Sequence, residues 1–161
     1  MSVINEFGRI DILVNNAGVA IIKSLVETTD HEYDTIIDTN LNGVFFCYKS
    51  VLPHMIKHKS RCIINISSGA GKTGFANLSV YCASKFGVIG ITESLAEVSD
   101  YGIKVFSVCP GAVATQMQKE FMSNEEFERR KNQMIQPEEV AQKVLQLVKC
   151  KFRTGTSVDI H

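Results

Sequence analysis

Residues 65–85 read NISSGAGKTGFANLSVYCASK. The stretch starts in the tail of an apolar run, CIINIS (62–67), and crosses a glycine-rich loop. It then enters a helical pattern from about Ser79 to Ser99, with Val80, Phe86, Ile89, Leu95 and Val98 among its apolar positions. Two further runs have the same unalternating character, IDILVNN (10–16) and KVFSVC (104–109). Continuous apolar runs of this length suit strands covered on both faces, as in a parallel sheet. Helical patterns separate them. One opens at TTDHEYD, where Thr29 and Glu32 have capping-box spacing and Tyr33, Ile36, Ile37 and Leu41 supply an apolar stripe. Another is PEEVAQKVLQLVKC, with Pro137 at its start, and a short strand, TSVDI, follows Gly155. The expected fold is α/β, with right-handed crossovers between parallel strands.

The loop GAGKTG satisfies G-x-G-x-x-G and contains Gly-Lys-Thr. A dinucleotide fingerprint needs its glycines to lead directly into a helix, with an acidic residue about 20 positions on. Here FANLS intervenes, and Glu93 and Glu97 fall mid-helix. A P-loop needs glycine five positions before Gly71, where Ile66 stands. The glycines are therefore expected to shape a loop and not to cradle phosphate.

The residues flanking the loop offer more chemistry. Tyr81 and Lys85 are four apart on one helix and share a face. Ser68 lies just past the C-terminal end of a strand, where sites form in such sheets. A phenol titrates near 10, too high for a base at neutral pH. An ammonium at ~4 Å and an effective dielectric of ~20 would favour the phenolate by up to ~4 kcal/mol and bring it toward neutrality. A serine hydroxyl could then hold a carbonyl or alcohol beside it. The competing reading of Y-x-x-x-K alone is an amphipathic helix whose Tyr and Lys snorkel.

NNAG at 15–18, Asn40 in TNLNGVFF, Ser68 in NISS, Tyr81 and Lys85 in YCASK, and PGAVAT at 110–115 occur in the order and spacing of the short-chain dehydrogenases/reductases. The chain resembles that family over about residues 5–161. The resemblance implies an NAD(P)-dependent oxidoreductase that interconverts a carbonyl and a secondary alcohol. Tyr81 would be the general acid–base, and Lys85 would lower its pKa and hold the nicotinamide ribose. Ser68 would orient substrate, and Asn40 would interrupt its helix to hold a relay water. Asn16, Ala17 and Gly18 would pack beside the adenosine half of NAD or NADP. Pro110, Gly111 and Val113 would line the nicotinamide, with Thr115 near its amide or phosphates. Ser67 and Cys82 carry no assigned chemistry.

The family's opening strand, its T-G-x-x-x-G-x-G loop and the following helix have no counterpart in this sequence. The expectation is one truncated Rossmann-like (doubly wound) domain over 1–161, the C-terminal two-thirds of the family's, with its first strands missing. The 10–16 strand would present a bare apolar edge. Cofactor binding would be weak and turnover by the chain alone small. A non-catalytic remnant that docks on a partner is the alternative, and a nucleotide-binding P-loop the weakest reading. Family members commonly oligomerise through the helices corresponding to 30–58 and 79–99, so a homo-oligomer is expected.

Composition bounds the rest. The 161 residues hold 17 basic and 17 acidic side chains, which gives no footprint for nucleic acid. No apolar run approaches the ~18 residues of a membrane span, and MSVINEFGRID lacks the form of a signal peptide. Cys47, Cys62, Cys82, Cys109 and Cys150 include no C-x-x-C, so reduced core thiols in a cytoplasmic protein are expected. His54 and His58 have chelating spacing, but Lys57 and Lys59 beside them suggest a helix C-terminus, and no metal is expected. The polar segment 118–136 is read as an exposed loop or short helix, a plausible lid that shapes the substrate pocket.

Overall fold

A computed structural model describes residues 3–59, 62–149 and 152–161. The elements in chain order are α1 (Val3–Phe7), β1 (Ile12–Asn15), α2 (Asp30–Ile37), α3 (Gly43–His58), β2 (Cys62–Ile66), α4 (Ser79–Ser94), β3 (Lys104–Pro110), α5 (Gln116–Lys119), α6 (Asn124–Arg130), α7 (Pro137–Lys149) and β4 (Thr156–Ile160). The four strands form one parallel sheet in the order β1-β2-β3-β4. This is the α/β parallel sheet that the apolar runs predict and the partial Rossmann-like form that the resemblance implies.

Local chemistry sets the boundaries. At the start of α2 the Thr29 hydroxyl accepts from the Glu32 N–H, and the Glu32 carboxylate accepts from the Thr29 N–H at 2.8 Å, a complete capping box. Those bonds and Lys23 hold the Glu32 carboxyl down at about 2. Between α2 and α3 the chain makes one π-helical turn, Asp38–Asn42, which carries Asn40. α3 ends as its basic last turn suggests. His58 bonds back to the His54 carbonyl, and Lys59 closes the helix in the left-handed region. α4 stops earlier than its pattern predicts, and the chain tightens into a 3-10 segment to Tyr101, which Gly102 terminates.

Two cores flank the sheet. Ile63 and Val105 face α3 and α4, meeting Tyr48, Met55 and Val88. Cys62, Ile64, Phe106 and Val108 face α7, which lays Val140, Val144, Leu147 and Val148 on them at helical spacing. β1 departs from the expectation of strands covered on both faces. Ile12 and Val14 are each 42% exposed, because they share the α7 face but lie beyond its reach. Two smaller expectations also fail. Tyr33 is exposed, and Cys47 sits on the outer side of α3, where Phe45 and Phe46 stack edge-to-face. Cys62, Cys82 and Cys109 are buried as expected, while Cys150 lies outside the described residues.

A buried polar chain ties the sheet to the helices. Parallel register sets Asn15 opposite Asn65, and the Asn15 amide donates to Asn65 at 2.8 Å. Asn65 spends both its own hydrogens, one on the Tyr48 hydroxyl and one on Thr92 of α4. With every polar hydrogen of this amide used, its burial carries little of the usual penalty.

The glycine loop is scaffolding. Gly69–Gly71 forms one 3-10 turn capped by the Ser68 hydroxyl. A Cβ at Gly71 would lie 2.6 Å from the Ser67 hydroxyl and 2.8 Å from the Lys85 carbonyl, so the loop reaches α4 only because no side chain stands there. Lys72 pairs with Asp159 of β4 at 2.6 Å. Gly71→Ala should therefore lower stability by about 1–3 kcal/mol in urea unfolding. An unchanged midpoint would show that the loop has slack to move.

Candidate active site

The C-terminal ends of β2 and β3 and the first turns of α4 surround an open cavity of about 920 Å³. Tyr81 and Lys85 reach it from one face of α4. The Lys85 ammonium lies 5.7 Å over the Tyr81 ring, and Ser68 hydrogen-bonds the phenol. Asn16, Ala17, Gly18, Ser68, Pro110, Gly111, Val113 and Thr115 line the same space, so the motif residues converge on one rim of the sheet. Asn40 does not line it. It is buried one layer behind, where a Cβ on Gly18 would lie 3.5 Å from its Oδ1 and 3.4 Å from the Lys85 ammonium.

Reciprocal bonds fasten α4 to β2. Lys85 donates from its ammonium to the Ile66 carbonyl at 2.9 Å, and Ser67 donates from its hydroxyl to the Lys85 carbonyl at 3.0 Å. Ser67, which sequence reasoning left without a role, is thus a structural partner of Lys85. Cys82, the other such residue, accepts from the Phe75 N–H. Behind the cavity Asn40 accepts from the Val19 N–H and donates to the Val19 carbonyl, both at 2.8 Å. Its second hydrogen goes to Ser84, which donates to the Tyr81 carbonyl at 2.7 Å. Thr115 caps α5 with its hydroxyl.

The electrostatics differ from the expectation drawn from spacing alone. Burial pushes the Tyr81 phenol up from its ordinary value, and the bond from Ser68 only partly opposes this. The Lys85 ammonium, 5.7 Å from the centre of the Tyr81 ring, bonds the Ile66 carbonyl. Burial lowers the lysine itself to about 8. Desolvation therefore outweighs pairwise attraction at both members of the couple.

Several cavity residues were not anticipated: Ile22, Phe75, Leu78, Met117, Phe121 and Met122, with Glu126 and Arg130 at the edge. The only signal for the last five was that they fall in or beside the polar segment after β3. That segment folds as α5, α6 and a 3-10 turn at Lys131–Gln133. Among the described residues no three His, Cys, Asp or Glu side chains gather as a metal cage, and no helix is long and apolar enough to cross a membrane.

Comparison with known proteins gives the family. A family model described as short chain dehydrogenase matches residues 1–126. The chain is 37% identical to the 3-oxoacyl-[acyl-carrier-protein] reductase FabG of Staphylococcus aureus (strain N315), covering 99% of this chain and 68% of that protein. It is 36% identical to FabG of Thermotoga maritima, covering 98% of this chain and 67% of the relative. Among solved structures, levodione reductase superposes with a TM-score of 0.89 at 31% identity, covering 98% of this chain and 67% of that one. ElxO with NADP bound gives 0.84 at 32% identity, covering 98% and 68%. The chain belongs to the short-chain dehydrogenase/reductase family and is an oxidoreductase by that membership.

The depressed lysine has a measurable consequence. Unfolded, Lys85 titrates near 10.5, and folded at about 8. Between those values the unfolded chain binds more protons, so this group's contribution to stability rises with pH across the window and is flat on either side. The stability of the wild type relative to Lys85→Met should climb by on the order of 3 kcal/mol from pH 8 to pH 10.5. Chemical denaturation at a series of pH values reads the difference, and a flat difference would mean the ammonium keeps its hydration.

Proposed function

We propose that this chain carries the acid–base half of an NAD(P)-dependent oxidoreductase acting on a carbonyl or secondary alcohol. The observation that carries the reading is the convergence of Ser68, Tyr81 and Lys85 on one cavity at the sheet's C-terminal rim. The cavity suits a nicotinamide nucleoside in two respects. Gly18 leaves a gap beside the Lys85 ammonium that a Cβ would fill. Lys85, almost fully buried, shows one acceptor among the described residues, the Ile66 carbonyl, so its remaining hydrogens can serve a ribose diol.

A bound nicotinamide would supply or accept the hydride. The chain's own residues would do the rest. Ser68 holds the substrate oxygen beside Tyr81. Tyr81 gives the proton in reduction and takes it in oxidation. Lys85 orients the ribose and supplies positive charge below the phenol. Asn16, Ala17 and Gly18 bound the adenosine side, and Pro110, Gly111, Val113 and Thr115 the nicotinamide side. Asn40 acts through its π-helical turn. Its side-chain hydrogens are committed to Val19 and Ser84, so a relay water toward Lys85 would rest on main-chain carbonyls that the widened turn releases.

These 161 residues contain no T-G-x-x-x-G-x-G loop, and the proposal is that by themselves they offer the pyrophosphate no helix N-terminus of that kind. Weak cofactor binding follows, with calorimetric Kd values for NADH and NADPH above about 0.1 mM. In hydride-transfer assays at saturating substrate and high cofactor, Tyr81→Phe should reduce the rate by about 10²–10⁴. Equal rates in variant and wild type would remove Tyr81 from the chemistry, and nanomolar cofactor binding would overturn the weak-binding reading.

The exposed apolar surface favours a second property. Ile12 and Val14 on the β1 edge, and Phe45, Phe46 and Phe86 on the outer faces of α3 and α4, are large apolar side chains left to water. Such surface suits self-association or docking on a partner, with or without turnover. We propose a homo-oligomer through α3 and α4. Light scattering should give a mass above 17.8 kDa, and Phe46→Lys should lower it. A monomeric wild type would refute this.

A further inference from the structure

We propose that the part of the cavity next to Tyr81 selects a neutral, apolar ketone or secondary alcohol, and that Met117, Phe121 and Met122 make that selection against anionic substrates. The proposal rests on the oxidoreductase reading above and narrows its substrate class.

Two groups of apolar side chains line the cavity that holds Ser68 and Tyr81. The Lys23 N–H donates to the Asn77 carbonyl at 2.8 Å, which ties the loop after β1 to the loop before α4. The Phe75 N–H in turn rests on the Cys82 sulfur. These ties hold Ile22, Phe75 and Leu78 as one group lining the cavity. Ile22 and Phe75 are 47% and 52% exposed, apolar surface left to water on this side of the site. The second group comes from residues 114–134. The ends of that segment are pinned to each other, since the Ala114 N–H donates to the Ile135 carbonyl at 2.9 Å and the Ile135 N–H to the Ala112 carbonyl at 3.0 Å. Thr115 and Ser123 cap the two short helices that the pinned segment carries. Met117, Phe121 and Met122 reach the cavity from there.

The charges point the same way. Apart from Lys85, the charged side chains lining the cavity among the described residues are Glu126 and Arg130, and they pair with each other at 2.9 Å. A carboxylate or phosphate on the substrate would have to take Arg130 from Glu126 and then face that carboxylate. A neutral alkyl, alicyclic or aryl body can pack on the apolar side chains without disturbing that pair, and two unbranched thioethers adapt to irregular shapes. Discrimination thus comes from both the apolar side chains and the lack of an unpaired cation apart from Lys85, which the ribose would occupy.

Methionine methyl groups provide a readout that needs neither cofactor nor turnover. The full chain, labelled with ¹³C-methyl methionine, is titrated with 4-phenylbutan-2-one and separately with acetoacetate. Signals are assigned through Met117→Leu and Met122→Leu. Met55, fully buried in the other core, is the internal reference. The neutral ketone should move Met117 and Met122 and leave Met55 in place, while acetoacetate at the same concentration moves none of them. Phe121→Glu and Met122→Glu should each weaken the neutral ketone about tenfold or more, with an unchanged Met55 signal certifying the fold. A stronger response to acetoacetate, no response of Met117 and Met122 to the ketone, or undiminished ketone binding by both Glu variants would overturn the proposal. Failure of the oxidoreductase reading has a different signature: ketone-dependent shifts persist while Tyr81→Phe leaves hydride transfer unaffected.

Discussion

The site depends on one clasp between the end of β2 and the second turn of α4. Lys85 donates to the carbonyl of Ile66, and Ser67, the next residue, donates to the carbonyl of Lys85. The lysine satisfies a carbonyl at the strand's end and the serine satisfies a carbonyl of the helix, so strand and helix register against each other without a bulky contact. Gly71 closes the arrangement from above, since only a residue without Cβ can pass between the Ser67 hydroxyl and the Lys85 carbonyl. With α4 so fixed, Tyr81, one turn earlier, can lie only beside Ser68. The catalytic spacing is therefore a result of how the helix docks, and the glycines that imitate a phosphate loop serve that docking.

A second layer of polar contacts holds the first. The π-helical turn at Asn40 places an amide deep in the chain, and that amide grips both main-chain groups of Val19 and the hydroxyl of Ser84. Ser84 lies between Tyr81 and Lys85 on the inner side of α4 and passes its own proton to the Tyr81 carbonyl. The turn after β1, the bend before α3 and the catalytic helix thus share one hydrogen-bonded joint. The Asn15–Asn65–Thr92 chain does the same one layer deeper in the sheet. Buried amides are expensive unless every donor is matched, and these are matched across elements far apart in sequence.

That separation explains what the sequence could and could not disclose. The strands, the capping box at Thr29 and the shared helix face of Tyr81 and Lys85 were legible because each rests on local spacing or periodicity, whereas Ser68 joined that pair through the family resemblance. The Asn65 network was not, since its partners come from β1, α3 and α4 and meet only once the sheet registers. The exposure of Cys47 and Tyr33 was hidden because an apolar neighbourhood in sequence says nothing about which side of a helix faces the core. The segment 118–136 was expected to shape the pocket, but which side chains do so, Met117, Phe121 and Met122, was obscured by the polar residues around them, and the pinned ends at Val113 and Ile135 appear only in the fold. The bare face of β1 was foreseeable from family resemblance, not from the strand's own residues, which read as buried.

The electrostatics of Tyr81 and Lys85 show why spacing is a poor guide to protonation. Four residues on a helix suggest a phenol and an ammonium in contact, each favouring the other's charge. In the folded chain the ammonium turns to a carbonyl instead, and burial penalises the charged form of both groups. The lysine at about 8 still carries its proton at neutral pH, and among the described residues the Ile66 carbonyl is the acceptor it shows. A diol seated against it would supply further acceptors, favour the ammonium and so raise the positive charge near the phenol. If the proposed roles of Tyr81 and Lys85 hold, the acid–base couple is completed by the ligand, and the group that brings the hydride would also tune the group that moves the proton.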